Sequence, residues 1–314
     1  MSSFAEDVKN GLLQSPKTLP SKYFYNEEGD QLFQTIMGLG EYYLTRCEFQ
    51  IFEDQKDEIL NAFVGDGGAF RLVELGAGDG TKTKVLLSHF LNKGAEFTYA
   101  PIDISHNVLD QLGNDLSVNL PGLHFEPIQG DYFDALADLN AQHDMKEVVL
   151  FLGSNIGNFS NEGAGEFLNK LSENMSTGDM LLIGFDLMKN PQTILNAYND
   201  KMGVTSEFNL NLLTRINDEL GADFDPAKFK HFPTYNPING ETRSHLVSTE
   251  AQEVYIAALE QRFEFDAWEA IHTEVSQKYS PKMIREFARN AGFEVVHDFT
   301  DECNYFVDSL WKKV

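Results

Sequence analysis

Basic residues and long apolar runs are scarce in this chain of 314 residues. It has 24 lysines and arginines against 49 aspartates and glutamates, which gives a formal net charge of −25. Since contacts to nucleic acid or to an anionic membrane surface need a surface rich in lysine and arginine, we expect neither as a partner. No apolar run is long enough to span a membrane, so no transmembrane helix is predicted.

Cysteine is also rare, with only Cys47 and Cys303 in the chain. Two cysteines provide no disulfide framework, and free thiols are typical of a reducing compartment. Residues 1–11 lack the apolar segment of a signal peptide, so we expect a cytoplasmic protein, and we expect it to be monomeric. The eight histidines are scattered without metal-ligand spacing, and no metal site is predicted.

What the chain does contain is a glycine-rich turn after an apolar strand. Residues 72–80 read LVELGAGDG, with glycine on alternate positions from Gly76 to Gly80. Glycines in this arrangement allow the backbone to come very close to a ligand. A helix is predicted over 81–91, so the turn leads into a helix N-terminus. Open α/β sheets bind nucleotide-like cofactors with such a unit at the carboxyl ends of their strands.

The spacing of the glycines distinguishes between two cofactors. The dinucleotide fingerprint G-x-G-x-x-G requires glycine where Thr81 stands, and the carboxylate of Asp79 in the loop would repel a diphosphate. The pattern acid-x-Gly-x-Gly-x-Gly instead resembles motif I of class I S-adenosylmethionine (SAM) methyltransferases, whose ligand carries a sulfonium and no phosphate. The resemblance implies that four residues of the motif bind SAM: Glu74, Gly76, Gly78 and Gly80.

An alternating strand–helix pattern continues along the chain, with acids at strand ends. A strand over 97–102 ends before Asp103, which lies 25 residues past Gly78 (103 − 78) and would accept both ribose hydroxyls. A third strand ends before Asp131, an acid suited to the adenine amino group. Four more strands are predicted, at 147–152, 179–187, 292–298 and 305–310, with helices at 164–175 and 281–291. We therefore predict an α/β fold with a Rossmann-like, class I SAM-methyltransferase sheet.

A long insertion between Lys189 and Val275 interrupts this pattern. It contains helical patterns at 193–202 and 208–220, followed by alternating segments typical of an antiparallel layer. We expect the insertion to pack with residues 1–60 as a lid over the cofactor pocket. The predicted domains are a SAM-binding domain of residues 61–188 plus 277–314 and an α+β substrate domain of residues 1–60 plus 189–276.

Four segments of the chain resemble the histidine-specific SAM-dependent methyltransferases. They are PKTLPSKYFY at 16–25, EYYLTR at 41–46, FLGSNIGN at 151–158 and TEVSQK at 273–278. The resemblance extends from about residue 9 to the end of the sequence, with little change in length. It implies a SAM-dependent enzyme that methylates the α-amino group of free L-histidine, to the trimethylated product hercynine of ergothioneine biosynthesis.

The same resemblance implies roles for individual residues. The substrate's amino and carboxylate end would be held by Tyr25 and Asn158, the two residues predicted to be catalytic, with Tyr198 at the carboxylate. The imidazole would lie among Tyr42, Glu274 and Ser276. SAM would be bound by Gly76 together with Lys82, Asp103, Asp131 and Tyr132.

Two alternatives remain open. The substrate could be another amino acid or an aromatic amine, because Ser244 stands where the family has a methionine that contacts the imidazole. The chain could also be a non-catalytic SAM-binding protein. The presence of both Asp103 and Asp131 argues against this second alternative.

Overall fold

The computed structural model describes residues 3–65, 67–142 and 145–314, apart from the side chain of Gln142. Within these ranges the helices are α1 Phe4–Leu12, α2 Glu27–Met37, α3 Leu44–Val64, α4 Thr83–Asn92, α5 His106–Asn119, α6 Tyr132–Gln142, α7 Asn161–Glu173, α8 Pro191–Ala197, α9 Val204–Leu220 and α10 Pro281–Asn290. The strands are β1 Lys17–Thr18, β2 Phe70–Leu75, β3 Phe97–Asp103, β4 His124–Phe125, β5 Ile128–Gln129, β6 Lys146–Phe151, β7 Met180–Asp186, β8 Phe229–His231, β9 Thr234–Asn236, β10 Glu241–Ser248, β11 Gln252–Ile256, β12 Gln261–Phe265, β13 Ala270–Gln277, β14 Phe293–Thr300 and β15 Phe306–Lys313.

The chain divides into two compact units, each with a hydrophobic core of its own. Unit 1 comprises Met1–Tyr43 and Met188–Gln277, and unit 2 comprises Leu44–Leu187 and Lys278–Val314. Residues 44–60, which we predicted to belong to the substrate domain, therefore lie in unit 2. The physical reason is that α3, which is kinked at Gln55, packs its buried face against α4 and β15. The roles assigned to the two predicted domains stay predictions.

Unit 2 is built on one eight-stranded sheet in the order β14-β15-β7-β6-β2-β3-β4, with β5 also pairing with β3. Strands β2 to β7 run parallel, whereas β15 and β14 are antiparallel. The central strand β2 is buried along its whole length, as expected for a parallel strand covered on both faces. The predicted α/β fold is confirmed, and the carboxyl ends of β2, β3 and β6 lie side by side.

The third strand of the predicted pattern is interrupted. It is divided into β4 and β5, two residues each, on either side of Pro127. Proline has no N–H to donate to a strand ladder, so pairing is interrupted there. Asp131 nevertheless directly precedes α6, at the edge of the sheet where it was predicted.

Unit 1 contains the predicted antiparallel layer. Its sheet has the order β1-β13-β10-β8, with β9 also on β10, and β11 pairs separately with β12. The helix predicted over 193–202 ends earlier, at Ala197. In the connection that follows, the carboxylate of Asp200 accepts hydrogen bonds from the amides of Val204 and Thr205, the first two residues of α9, so the chain begins a new helix there.

Candidate active site

The turn after β2 requires glycine. Gly76, Gly78 and Gly80 have φ values of +72°, +53° and +63°, all in the left-handed region that side chains disfavour. At Gly76 a Cβ atom would also lie 2.6 Å from the hydroxyl oxygen of Tyr132. At Gly76 the backbone therefore runs closer to Tyr132 than a residue with a Cβ atom would permit.

Asp103, Asp131 and Tyr132 lie together at the same edge of the sheet. The amide of Gly130 donates to the backbone carbonyl of Asp103 at 3.1 Å, which joins the ends of β3 and β5. Burial, followed by the carboxylates of Asp103 and Asp131, raises the pKa of Tyr132, so its phenol stays protonated near neutral pH. Asp103 is half-buried and Asp131 is exposed. The structure thus brings these predicted SAM ligands next to Gly76.

Glu74, the acid of the glycine motif, is buried inside unit 2. Its carboxylate accepts hydrogen bonds from the hydroxyl of Tyr99 at 2.5 Å and from that of Thr83 at 2.7 Å. Burial raises the pKa of Glu74 to about 7, although both hydrogen bonds oppose the shift. This side chain ties β2 to β3 and α4, and a direct contact with SAM stays a prediction.

Lys82 pairs with a residue that the sequence did not single out. Its ammonium forms an ion pair with Glu48, a fully buried side chain of α3. Gly184 in the middle of β7 was the available signal, because a Cβ there would lie 2.6 Å from a carboxylate oxygen of Glu48. An isolated glycine inside a buried strand indicates the close approach of another group.

Asn158 is exposed at the end of a short 3₁₀-helix, Asn155–Asn158, in unit 2. The residue before this helix, Ser154, has a left-handed backbone with φ of +56°. Its hydroxyl accepts a hydrogen bond from the amide of Asp186 at 3.0 Å, and the phenol of Tyr279 donates to the carbonyl of Ile156 at 3.0 Å. These contacts fix the turn that carries Asn158.

In unit 1, Glu274 and Ser276 occupy alternate positions of β13 and so face the same side of the sheet. The phenol of Tyr198 donates to the hydroxyl of Ser276 at 2.8 Å. Ser244, directly opposite Glu274 on β10, donates to its carboxylate at 3.2 Å. One face of this sheet therefore presents a row of oriented polar groups.

Aromatic rings adjoin this polar row. Tyr25 packs edge-to-face on Phe33 and Phe208, with ring centroids 5.6 and 5.7 Å apart, and Phe33 in turn contacts Tyr42. Tyr25 is still 45% exposed. Desolvation of its hydroxyl, followed by the carboxylate of Glu274, raises its pKa, so the phenol is a hydrogen-bond donor and not a base near pH 7. Unit 1 thus brings together all the predicted substrate residues except Asn158, which belongs to unit 2.

The sequence profile described as "Histidine-specific methyltransferase, SAM-dependent" matches residues 4–313. The chain belongs to this family. Histidine N-alpha-methyltransferase of Mycolicibacterium smegmatis is 38% identical over 304 residues, covering 97% of this chain and 93% of that protein. The enzyme of the same name from Mycobacterium tuberculosis is 36% identical over 307 residues, covering 98% and 94%. A 4-dimethylallyltryptophan N-methyltransferase of Claviceps fusiformis is 27% identical over 334 residues, covering 99% and 92%.

These matches confirm the predicted family, the SAM cofactor and the enzymatic nature of the chain. The protein is a SAM-dependent methyltransferase. In the part of the chain that the structure describes, no helix combines the length and the apolarity needed to cross a membrane. The monomeric state and the cytoplasmic location stay predictions.

Proposed function

We propose that this methyltransferase acts on the α-amino group of free L-histidine and converts it to Nα-trimethylhistidine, hercynine. The observation that carries the proposal is the polar row of unit 1. Glu274 can accept an N–H from one imidazole nitrogen, and Ser276, oriented by Tyr198, can bond the other. A site built around two ring nitrogens favours histidine over rings that lack them. The names of the mycobacterial relatives support the same substrate.

The residues at the carboxyl edge of unit 2 fit SAM. The left-handed glycine turn admits a ligand close to the backbone, while Asp103 and Asp131 are acceptors for ribose hydroxyls and an adenine amino group. We assign Glu74, Gly76, Gly78, Gly80, Lys82, Asp103, Asp131 and Tyr132 to this site. When bound, SAM supplies an electrophilic methyl group on a sulfonium.

The amine must be neutral to attack, so the α-ammonium of the substrate first loses a proton. Tyr25, with its raised pKa, is assigned to orient the amine through its hydroxyl while water accepts the proton. Asn158 is assigned to the amino end as an uncharged amide. Positioning of this kind supplies ~7–11 kcal/mol toward a displacement between two bound reactants. Uncharged neighbours suit the reaction because a strong anion near the sulfonium would stabilise the ground state more than the transition state.

A second candidate is N-methylation of a larger aromatic amino acid. The observation that favours it is the small Ser244 beside Glu274, together with the aromatic rings around Tyr25. The name of the Claviceps relative, which is similar to this chain over nearly its whole length, specifies a prenylated tryptophan.

Mass spectrometry of products distinguishes the two candidates. The purified protein is incubated with SAM and, one at a time, with histidine, tryptophan, tyrosine and histamine. We expect mono-, di- and trimethylated histidine. We expect no product from histamine, because it lacks the carboxylate to which we assign Asn158 and Tyr198. Methylation of tryptophan in preference to histidine would contradict the proposal, and so would transfer to an imidazole nitrogen, which fragmentation of the product detects.

Glu274→Ala tests the imidazole contact directly. We expect the preference for histidine over tryptophan, as the ratio of kcat/KM values, to fall by roughly 100-fold, because a site that loses its polar partner no longer penalises a ring without N–H at that position. Glu264→Ala is the control, since Glu264 is an exposed glutamate on β12 of the same unit. If Glu274→Ala retains the ranking of substrates, Glu274 does not contact the ring.

A further inference from the structure

Glu48 occupies a position where an apolar residue is expected. It lies in α3 on the same face as Leu44, Ile51 and Phe52, and its side chain is completely buried. Burying an ionised carboxylate costs several kcal/mol unless hydrogen bonds and an opposite charge compensate it. The partners of Glu48 therefore show what the charge is used for.

Two different loops meet at this carboxylate. Oε1 accepts the amide N–H of Gly153 at 2.7 Å, in the loop after β6 that leads to Asn158. Oε2 pairs with the ammonium of Lys82, which stands between the glycine turn and α4. Because β2 and β6 are neighbours in the sheet, one side chain connects the loops at the carboxyl ends of both strands.

A second carboxyl, that of Asp308, lies beside the ion pair of Glu48 and Lys82. Burial, followed by the carboxylate of Glu48, raises the pKa of Asp308 well above its usual range. Burial lowers the pKa of Lys82, but Glu48 raises it overall, so the ammonium stays charged. The side chain of Lys82 is 24% exposed, which leaves part of it accessible.

We propose that Glu48 is a positioning residue for the cofactor: it holds the Lys82 ammonium and the Gly153 amide in one arrangement, from which Lys82 contacts SAM. The proposal rests on the proposed function in assigning Lys82 to SAM binding. Gly184 is part of the same arrangement, because a Cβ at that position would displace Oε1 of Glu48. A buried pair that only stabilised the fold would contribute to the melting temperature and not specifically to the cofactor.

The test is a double-mutant cycle on the full chain, read as affinity for S-adenosylhomocysteine by calorimetry and as KM for SAM. Glu48→Gln keeps the volume and can still accept from Gly153, but it loses the charge. We expect affinity to fall about tenfold or more, from a lost charge-assisted contact, with little change in KM for the amino acid. In a Lys82→Met background, Glu48→Gln should change affinity by less than about threefold, because coupled residues are non-additive.

Glu147→Gln is the matched control, since Glu147 is another buried acid of unit 2 in an ion pair, with Arg71 at 3.4 Å, but lies near the start of β6 and not at its carboxyl end. We expect it to alter affinity by less than about threefold, whatever its effect on the melting temperature. If Glu48→Gln does not fold, Glu48→Asp is measured instead, because it keeps the charge but shortens the reach. Its affinity must then fall more than about threefold for the proposal to stand.

Three results would overturn the proposal. One is a Glu48 variant that melts at a lower temperature yet binds S-adenosylhomocysteine as the wild type does. Another is full additivity of the Glu48 and Lys82 substitutions. The third is an equal loss of affinity in Glu147→Gln. Failure of the proposed function is separate, since a wild-type protein that binds S-adenosylhomocysteine but does not methylate histidine still permits the whole cycle.

Discussion

The two units hold their acidic side chains in different ways. In unit 2, Glu74 and Glu48 are buried and accept hydrogen bonds from groups of the protein, including Tyr99 and the amide of Gly153. In unit 1, Glu274 is half-buried on an antiparallel strand, with Ser244 opposite and Tyr25 partly exposed nearby. The first arrangement fixes the backbone around the glycine turn, whereas the second orients a carboxylate toward one face of a sheet.

This difference has a consequence for how each unit responds to substitution. Changes in unit 2 should affect stability and cofactor affinity together, because its acids and glycines are part of the sheet edge. Changes in unit 1 should affect the choice and turnover of the amino acid, with little effect on SAM.

The largest effect is expected for Gly76→Ala. The left-handed φ of +72° and a Cβ 2.6 Å from the Tyr132 hydroxyl should together cost about 2–5 kcal/mol in the free energy of unfolding. Affinity for SAM should be lost as well, since the turn must move. Urea unfolding and calorimetry with S-adenosylhomocysteine measure the two effects.

Gly94→Ala is the matched control, because Gly94 has nearly the same φ, +71°, but no described atom lies within 4 Å of a Cβ built there. Its free energy of unfolding should fall only by the cost of placing a side chain at a left-handed φ, about 1–2 kcal/mol, and its affinity for SAM should stay unchanged. Equal losses in the two variants would mean that the contact with Tyr132 does not constrain the turn.

The next effect is the pH dependence that Glu74 gives to stability. Its pKa is about 7 in the folded protein and 4.5 in an unperturbed glutamate. Between these values the folded state binds a proton that the unfolded state has released, so the contribution of Glu74 to stability falls as the pH rises from 4.5 to about 7. The loss should total about 3 kcal/mol. Glu74→Gln should remove it, and unfolding curves of both proteins across this range check the difference.

Glu264→Gln, at an exposed position of unit 1, is the control and should leave the pH dependence of the wild type unchanged. Parallel stability curves for wild type and Glu74→Gln would mean that Glu74 is ionised throughout. In that case the hydrogen bonds from Tyr99 and Thr83 outweigh burial.

Much of unit 2 was predictable because its signals are local. An apolar strand, glycines at 76, 78 and 80, and acids after successive strands occur within short stretches, and the structure places them at one sheet edge. Glu48 was not predictable in this way. Its environment depends on α3 packing against β15 and β7, and no local pattern specifies which residues of another segment a helix will meet.

Unit 1 was less accessible to sequence reasoning. The alternation around Glu274 and Ser276 indicates a strand, but it does not tell whether the polar face meets water or a ligand. A β-bulge between Ser244 and His245 shifts the pairing with β13 by one residue, and alternation alone does not locate such a bulge. The roles of these residues came from the family resemblance, and the structure adds the hydrogen bonds that orient them.

Asp103→Ala should have an intermediate effect, larger on cofactor affinity than on stability, to which its carboxylate contributes one hydrogen bond, accepted from the amide of Ser105 at 2.9 Å. Loss of a hydrogen-bonded carboxylate should weaken binding of S-adenosylhomocysteine by ~1.5–3 kcal/mol. Asp110→Ala is the control, since Asp110 is an exposed acid of α5 in the same unit. Calorimetry that detects unchanged affinity in Asp103→Ala, or binding of a nicotinamide dinucleotide by the wild type, would contradict the assignment of this edge.

The smallest effect is expected for Tyr25→Phe, which removes one hydroxyl and keeps the ring contacts with Phe33 and Phe208. Turnover of histidine should fall by about tenfold, the value of one neutral hydrogen bond, while affinity for S-adenosylhomocysteine stays unchanged. Tyr23→Phe is the control, because the hydroxyl of Tyr23 is bound to Asp7 at 2.8 Å and its loss should affect stability only.

The pH dependence of this variant decides what the hydroxyl of Tyr25 does. Activity should rise with pH as the bound α-ammonium deprotonates, since only the neutral amine has a lone pair for attack. Because the pKa of Tyr25 is raised, its phenol is protonated over that range and cannot be the group that titrates. The pH–activity profiles of wild type and Tyr25→Phe should therefore have the same midpoint pH and differ only in their maximal turnover. A pH–activity profile that is flat in Tyr25→Phe would show that Tyr25 is the proton acceptor. Unchanged turnover in this variant would show that the aromatic cluster of unit 1 belongs to the hydrophobic core and not to the active site.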